Sequence, residues 1–222
     1  MKTLLSLLTC VIFSQINAQE WANVARFKAE NERIIADNAP VKLVFMGNSI
    51  TEGWKSFDPN LFGSTNYINR GISGQTTPQM LVRFKQDVLD LKPKGVIILA
   101  GTNDIAGNTG PMSVQEIFNQ IKSMAGLAAL NKIEVFLCSV LPVYDYPWKP
   151  GLKPVPKILA LNNMLKTLAV EKNYKYIDYF SEMSDDKNGL KLCLGSDGVH
   201  PNEKGYEIMK KVLLNTIGPS FK

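Results

Sequence analysis

The feature that most constrains this chain is a repeated alternation. Short, almost unbroken apolar runs end in glycine or small polar residues, and stretches with helical spacing lie between them. The runs are VKLVFMG (41–47), GVIILAG (95–101) and IEVFLCSV (133–140), with a weaker one at Tyr67 to Asn69 and a further one, YKYID (174–178). A run that is apolar throughout, rather than at every second residue, belongs to a strand buried on both faces, as in a parallel sheet. Helical patterns cover Pro78 to Leu91, Val114 to Leu130, Lys157 to Lys172 and Asn202 to Ile217. Ahead of the first run, Trp21, Val24, Phe27, Ile34 and Ile35 predict one amphipathic helix over Glu20 to Asn38, ended by Pro40. The alternation implies an α/β fold, a parallel five-stranded sheet covered by helices on both faces. Ligands of such sheets bind beyond the carboxyl ends of the strands. The loops after Gly47, Asn69, Gly101 and Val140 should therefore surround any active site.

The first 18 residues form a separate unit. Lys2 supplies a positive start, Leu4 to Phe13 is an apolar stretch too short to span a bilayer, and Ala18 ends a small-residue cleavage site with Ile16 an imperfect match. This reads as a signal peptide removed after Ala18, which places the mature protein in the periplasm or outside the cell. A lipid anchor on Cys10 fits poorly, because Thr9 is a poor preceding residue and the apolar run continues past it. No later run reaches membrane-spanning length, and no repeat or linker divides residues 19–222, which read as one domain. Cleavage removes one lysine and no acid, taking the formal charge from +5 to +4. With no basic block, that mild excess gives no support for nucleic-acid binding. Cys138 reads as a small core residue. With Cys193 as its only companion after cleavage and no CxxC, neither a metal site nor a disulfide framework is indicated.

The loops carry the chemistry. In GNSITEGW (47–54), Ser49 stands where a strand gives way to a helix or turn, with its oxygen at the sheet edge and its amide near a helix start. Both suit a nucleophile whose own N–H helps to bind an oxyanion, although a helix-capping serine is the plain alternative. It is not the GxSxG elbow, because Thr51 replaces the second glycine. In NRGISGQTT (69–77), Gly71 and Gly74 serve either as turn residues or as points of close backbone approach. In GTND (101–104), Asn103 either closes a local turn or donates its amide into the site. DGVHPNEKGY (197–206) holds the single histidine, His200, three residues after Asp197 with Gly198 between and Pro201 next. Pro201 disfavours helical backbone at His200 and suits the start of the last helix. A tight turn there brings Asp197 onto the imidazole, leaving the other nitrogen for a serine proton.

GNSIT, GISGQT, GTND and DGVHP occur in this order, at strand ends or before the last helix. On these residues the chain resembles the SGNH (GDSL-type) hydrolase family over essentially the whole mature length. The resemblance implies a flavodoxin-like, three-layer fold, no cofactor and a shallow site. It also implies that Ser49 is the nucleophile, His200 the general base and Asp197 its orienting partner. The amides of Ser49 and Gly74 and the side chain of Asn103 would form the oxyanion hole. One departure is visible, Asn48 where the family has aspartate before the nucleophile; that position is not the base.

Substrate evidence sits in LPVYDYPWKPGLKPVP (141–156), where Tyr144, Tyr146 and Trp148 cluster among prolines. Exposed aromatic faces suit sugar rings, whereas a loop packed by its own aromatics is the plain alternative. No long apolar surface helix or lid-like segment is evident for an acyl chain. The expectation is a secreted serine esterase that removes short acyl groups, acetyl foremost, from a small or glycan ester. The competing classes are a lipid-directed lysophospholipase or platelet-activating-factor acetylhydrolase-like enzyme, and a catalytically silent carbohydrate-binding module. The complete triad speaks against the module, and the missing phosphate loop against a flavodoxin-like electron carrier.

Overall fold

The structure is a computed structural model that describes residues 18–63 and 65–221. The expected signal peptide, with Cys10, therefore lies outside the described residues apart from Ala18. Five parallel strands form one sheet: β1 (Leu43–Gly47), β2 (Tyr67–Gly71), β3 (Gly95–Leu99), β4 (Glu134–Cys138) and β5 (Lys175–Ile177), in the order β2-β1-β3-β4-β5. Ten helices accompany them among the described residues: α1 (Ala18–Trp21), α2 (Lys28–Ala36), α3 (Ser49–Phe57), α4 (Pro59–Gly63), α5 (Thr77–Asp87), α6 (Thr102–Ala106), α7 (Val114–Leu130), α8 (Val155–Lys172), α9 (Tyr179–Met183) and α10 (Glu203–Thr216). None of them is long and apolar enough to cross a membrane.

The apolar runs explain the layering. Alternate strand residues point to opposite faces, so each continuous run feeds two cores. Val44, Met46, Val96, Ile98, Val135 and Leu137 join one cluster, with Phe84 of α5, Ile121 of α7 and Leu165 of α8. Leu43, Phe45, Ile97, Leu99, Phe136 and Cys138 join the other, with Trp54 of α3 and Leu213 of α10. The result is the three-layer, flavodoxin-like sandwich that the family resemblance implied. The chain leaves β1 toward one edge, to β2, and crosses back to β3 on the other side. The carboxyl ends of β1 and β3 thus flank the switch point where a crevice opens.

The N-terminal segment departs from the single helix expected over Glu20 to Asn38. It breaks at Asn23, whose φ is 51°, passes through a 3₁₀ turn (Val24–Phe27) and resumes as α2. The cause lies far along the chain. Gln75, Gln79 and Gln86 donate side-chain hydrogen bonds to the carbonyls of Ala22, Trp21 and Val24 at 2.7, 2.7 and 2.5 Å. Those side chains satisfy backbone acceptors that an unbroken helix would have used internally. The expected apolar face suffers for it: Trp21 and Ile35 are exposed, while Ala22 and Asn31 are buried.

Candidate active site

β1 ends at Gly47 and α3 starts at Ser49. Asn48 between them is the helix cap, its Oδ1 accepting the Ile50 N–H at 3.0 Å. Asparagine and aspartate cap equally well, so the departure at this position keeps the local structure. The cap leaves the Ser49 N–H among the orphan donors at the positive end of the helix.

The structure brings Ser49, His200 and Asp197 into one hydrogen-bonded chain. Ser49 Oγ lies 2.9 Å from His200 Nε2, and His200 Nδ1 lies 2.7 Å from Asp197 Oδ2. Asp197 Oδ1 accepts the backbone N–H groups of Val199 and His200 at 2.9 and 2.7 Å. One carboxylate therefore folds the turn and orients the ring. An ionised Asp197 accepts from Nδ1–H, which leaves Nε2 as the acceptor facing the serine. Gly198 sits at φ 79° inside this turn. Asn202 caps α10, accepting the Gly205 N–H at 3.1 Å, with Pro201 just ahead of the cap. Tyr206 of α10 donates to the Ile50 carbonyl at 2.8 Å, tying the histidine side of the site to the serine helix. Desolvation works to raise the Asp197 pKa, but hydrogen bonds from the His200 amide and ring and from the Val199 amide outweigh it, and the carboxyl is held below its ordinary value.

Gly74 and Asn103 meet beside this chain's switch point. Asn103 Nδ2 donates to the Gln75 carbonyl at 3.0 Å, which leaves its second N–H for another acceptor. Asn108 Nδ2 donates to the Gly74 carbonyl at 3.1 Å. Thr77 donates through its N–H and hydroxyl to the buried Asp104 Oδ1, at 2.8 and 2.5 Å. Burial raises the Asp104 pKa, partly offset by those two bonds. Behind the loop, the fully buried Arg83 donates to Gln75 Oε1 at 2.6 Å, Asp87 at 2.8 Å, the Arg70 carbonyl at 2.8 Å and the Gly47 carbonyl at 3.2 Å. Its planar fork links the residue that ends β1 to the loop that holds Gly74.

The three loop aromatics separate. Trp148 is half exposed, with its ring centroid 6.2 Å from that of His200. Tyr144 is exposed and abuts Gly189. Tyr146 does not present the exposed face expected of it. It is fully buried, with its hydroxyl donating to the Thr102 carbonyl at 2.9 Å and its ring 5.2 Å from Trp148. It serves as the root on which Trp148 stands. Sequence reasoning passed over Glu52, Gln75, Arg83, Asp104 and Asn108. The one available sign was Arg83 four residues before Asp87 within a helical pattern, the spacing of a same-face ion pair.

The model of the GDSL-like Lipase/Acylhydrolase family matches residues 45–208. A crystal structure of a GDSL-like lipase from Bacteroides thetaiotaomicron superposes with a TM-score of 0.84 at 42% identity, covering 88% of this chain and 97% of that one. An acetylxylan esterase of Geobacillus stearothermophilus is 24% identical over 205 residues, 80% of this chain and 94% of that enzyme. An uncharacterized lipoprotein of Bacillus subtilis is 52% identical over 44 residues, only 20% of this chain and 18% of the lipoprotein's length. The chain belongs to the GDSL-like lipase/acylhydrolase family, the SGNH hydrolases, and is a carboxylic ester hydrolase.

Proposed function

We propose that this hydrolase acts outside the cytoplasm on short acyl esters of carbohydrates, acetyl esters foremost, with Ser49, His200 and Asp197 as its triad. Ser49 Oγ attacks the acyl carbon as His200 Nε2 takes its proton, and the developing oxyanion accepts from the Ser49 amide, the Gly74 amide and the Asn103 side chain. The tetrahedral intermediate expels the sugar alkoxide, which the imidazolium protonates. A water, deprotonated by the same nitrogen, then attacks acyl-Ser49, and collapse of the second tetrahedral intermediate releases the acid as the imidazolium returns the proton to Ser49 Oγ. The export part of this proposal draws on residues 1–18 and on the lipoprotein relative.

The observation that carries the carbohydrate reading is the half-exposed Trp148 ring beside His200, supported from below by Tyr146. A flat aromatic face at the leaving-group side suits a sugar ring. The acetylxylan esterase relative supports the same class. A lipid-directed reading has one observation of its own, Leu192, almost fully exposed in the loop that leads to Asp197.

An acyl-length series separates the two. A buried acyl pocket gains about 0.8 kcal/mol per methylene, or roughly four-fold per carbon in kcat/KM. Here kcat/KM should fall from acetyl to octanoyl esters. Trp148→Ala should weaken hydrolysis of an acetylated xylo-oligosaccharide while sparing a small aryl acetate, because only the glycan reaches the ring. A preference for octanoyl or longer chains would replace the carbohydrate proposal with the lipid one. Equal loss on both substrates would make Trp148 a packing residue.

The pH profile follows from the same geometry. His200 must be neutral to take the serine proton, so activity should rise with pH through a single ionisation. Asp197, held below its ordinary range, should not contribute a second step near it. The sign is that of a depressed acid: the turn it stabilises is intact above the unfolded-state pKa of the carboxyl and weakens as pH falls through the lower, folded one. A rate that does not fall at any acid pH at which the enzyme stays folded would remove His200 from the role of base.

A further inference from the structure

We infer that Glu52 is a positioning residue for the oxyanion hole: it anchors Ser73, the residue from which the peptide carrying the Gly74 N–H departs. This rests on the proposed role of Gly74 and Asn103 as oxyanion donors. Residues 72–75 form a tight turn in which the Gln75 N–H donates to the Ile72 carbonyl at 3.3 Å and Gly74 has φ 76°. A φ near +80° at the third residue is the signature of a type II turn. Types I and II differ by a flip of the central peptide, here the Ser73–Gly74 peptide that carries the Gly74 N–H. Glycine adopts either conformation readily, and the turn tip, Ser73 and Gly74, is exposed. That peptide pivots about the Ser73 and Gly74 Cα atoms, so the Gly74 N–H keeps its place only if both pivots are held.

Everything after the Gly74 N–H is anchored to α6, its following loop and Arg83, through the bonds of Asn108, Asn103, Asp104 and Arg83 described above. Ahead of it the anchor is Glu52. Its Oε2 accepts the Ser73 N–H at 2.9 Å and also accepts from the Ser73 hydroxyl. Its Oε1 pairs with Arg26 Nη2 at 3.3 Å. Glu52 lies one turn after Ser49 on α3, so Ser73, the pivot before the oxyanion peptide, is tied to the helix that carries the nucleophile. The tie is short because β2 runs directly onto α3: a Cβ placed on Gly71 would fall 2.2 Å from the Glu52 nitrogen. A donor preorganised in this way costs no reorganisation when the charge develops.

Glu52→Ala and Glu52→Gln test this in the intact enzyme, with Asn103→Ala alongside. The readouts are kcat and KM on an aryl acetate and the affinity of phenylboronic acid, which forms a tetrahedral adduct on a nucleophilic serine. Complete loss of one oxyanion donor costs about 10²–10³ in kcat, and a donor left free to wander costs part of that, about 5- to 30-fold. Glu52→Ala should therefore lower kcat in that range and weaken the boronate by a similar factor, with KM within about two-fold, because the missing contact exists mainly in the transition state. Glu52→Gln keeps an acceptor for the Ser73 N–H and should restore most of the activity. The inference fails if Glu52→Ala matches wild type while Asn103→Ala is slow, if only KM moves, or if Glu52→Gln is as slow as Glu52→Ala. If Asn103→Ala is itself as fast as wild type, the oxyanion assignment falls, and the role of Glu52 falls with it.

Discussion

Ser49→Ala and His200→Ala should each lower ester hydrolysis by several orders of magnitude and leave the protein folded. Residues that act as a unit fail as a unit, so the double variant should be little worse than either single one. Folding should survive because the hydroxyl of Ser49 bonds to His200 and not to the helix it begins. The cap of α3 is Asn48, through the Ile50 N–H, so truncating Ser49 leaves that roughly 1 kcal/mol contribution in place. His200 is partly exposed, and its backbone N–H keeps its bond to Asp197 whatever the side chain. Asp197 differs, because its carboxylate also accepts the Val199 and His200 N–H groups. Asp197→Ala should loosen the turn as well as slow the reaction, and Asp197→Asn is the cleaner probe of chemistry. A fluorophosphonate probe should label the wild type and fail on Ser49→Ala. A folded Ser49→Ala enzyme that keeps a tenth of the activity would remove Ser49 from the role of nucleophile.

The sequence was legible where one stretch of chain decides its own environment. β1, β3 and β4 are buried on both faces, so their apolar runs admit little else. β2 read weakly because it is an edge strand carrying Asn69 and Arg70, and Arg70 is buried by partners, Asn31 and Glu30, that lie far away in sequence. The four motifs stood out because each follows a strand or precedes the last helix, with glycine beside the polar residue. What could not be read was decided across the chain. The break at Asn23 depends on three glutamines more than fifty residues later, and the burial of Tyr146 depends on Thr102. Glu52 gave no sign in the sequence, because its partner Ser73 lies 21 residues later, in the turn that follows β2.

Asn103→Ala should lower kcat about 10²–10³-fold with a smaller effect on KM, the cost of deleting one oxyanion-hole donor. The structure gives this variant a second consequence that separates it from a general loss of packing. One Asn103 N–H is already spent on the Gln75 carbonyl, and the Asn103 side chain is buried. The alanine therefore removes the proposed catalytic donor and one of several bonds holding the Gly74 loop. The remaining bonds, from Asn108, Arg83 and Asp104, keep that loop in place, so the Gly74 amide should still function and activity should stay well above that of Ser49→Ala. Asn103→Asp is the harsher change despite its similar shape. It replaces both N–H groups with acceptors, sets a carboxylate oxygen against the Gln75 carbonyl, and places negative charge where an oxyanion must form. Its kcat should fall below that of Asn103→Ala. If Asn103→Ala changed KM alone, or if Asn103→Asp were the faster of the two, Asn103 would be a residue that shapes the loop and not one that binds the developing charge.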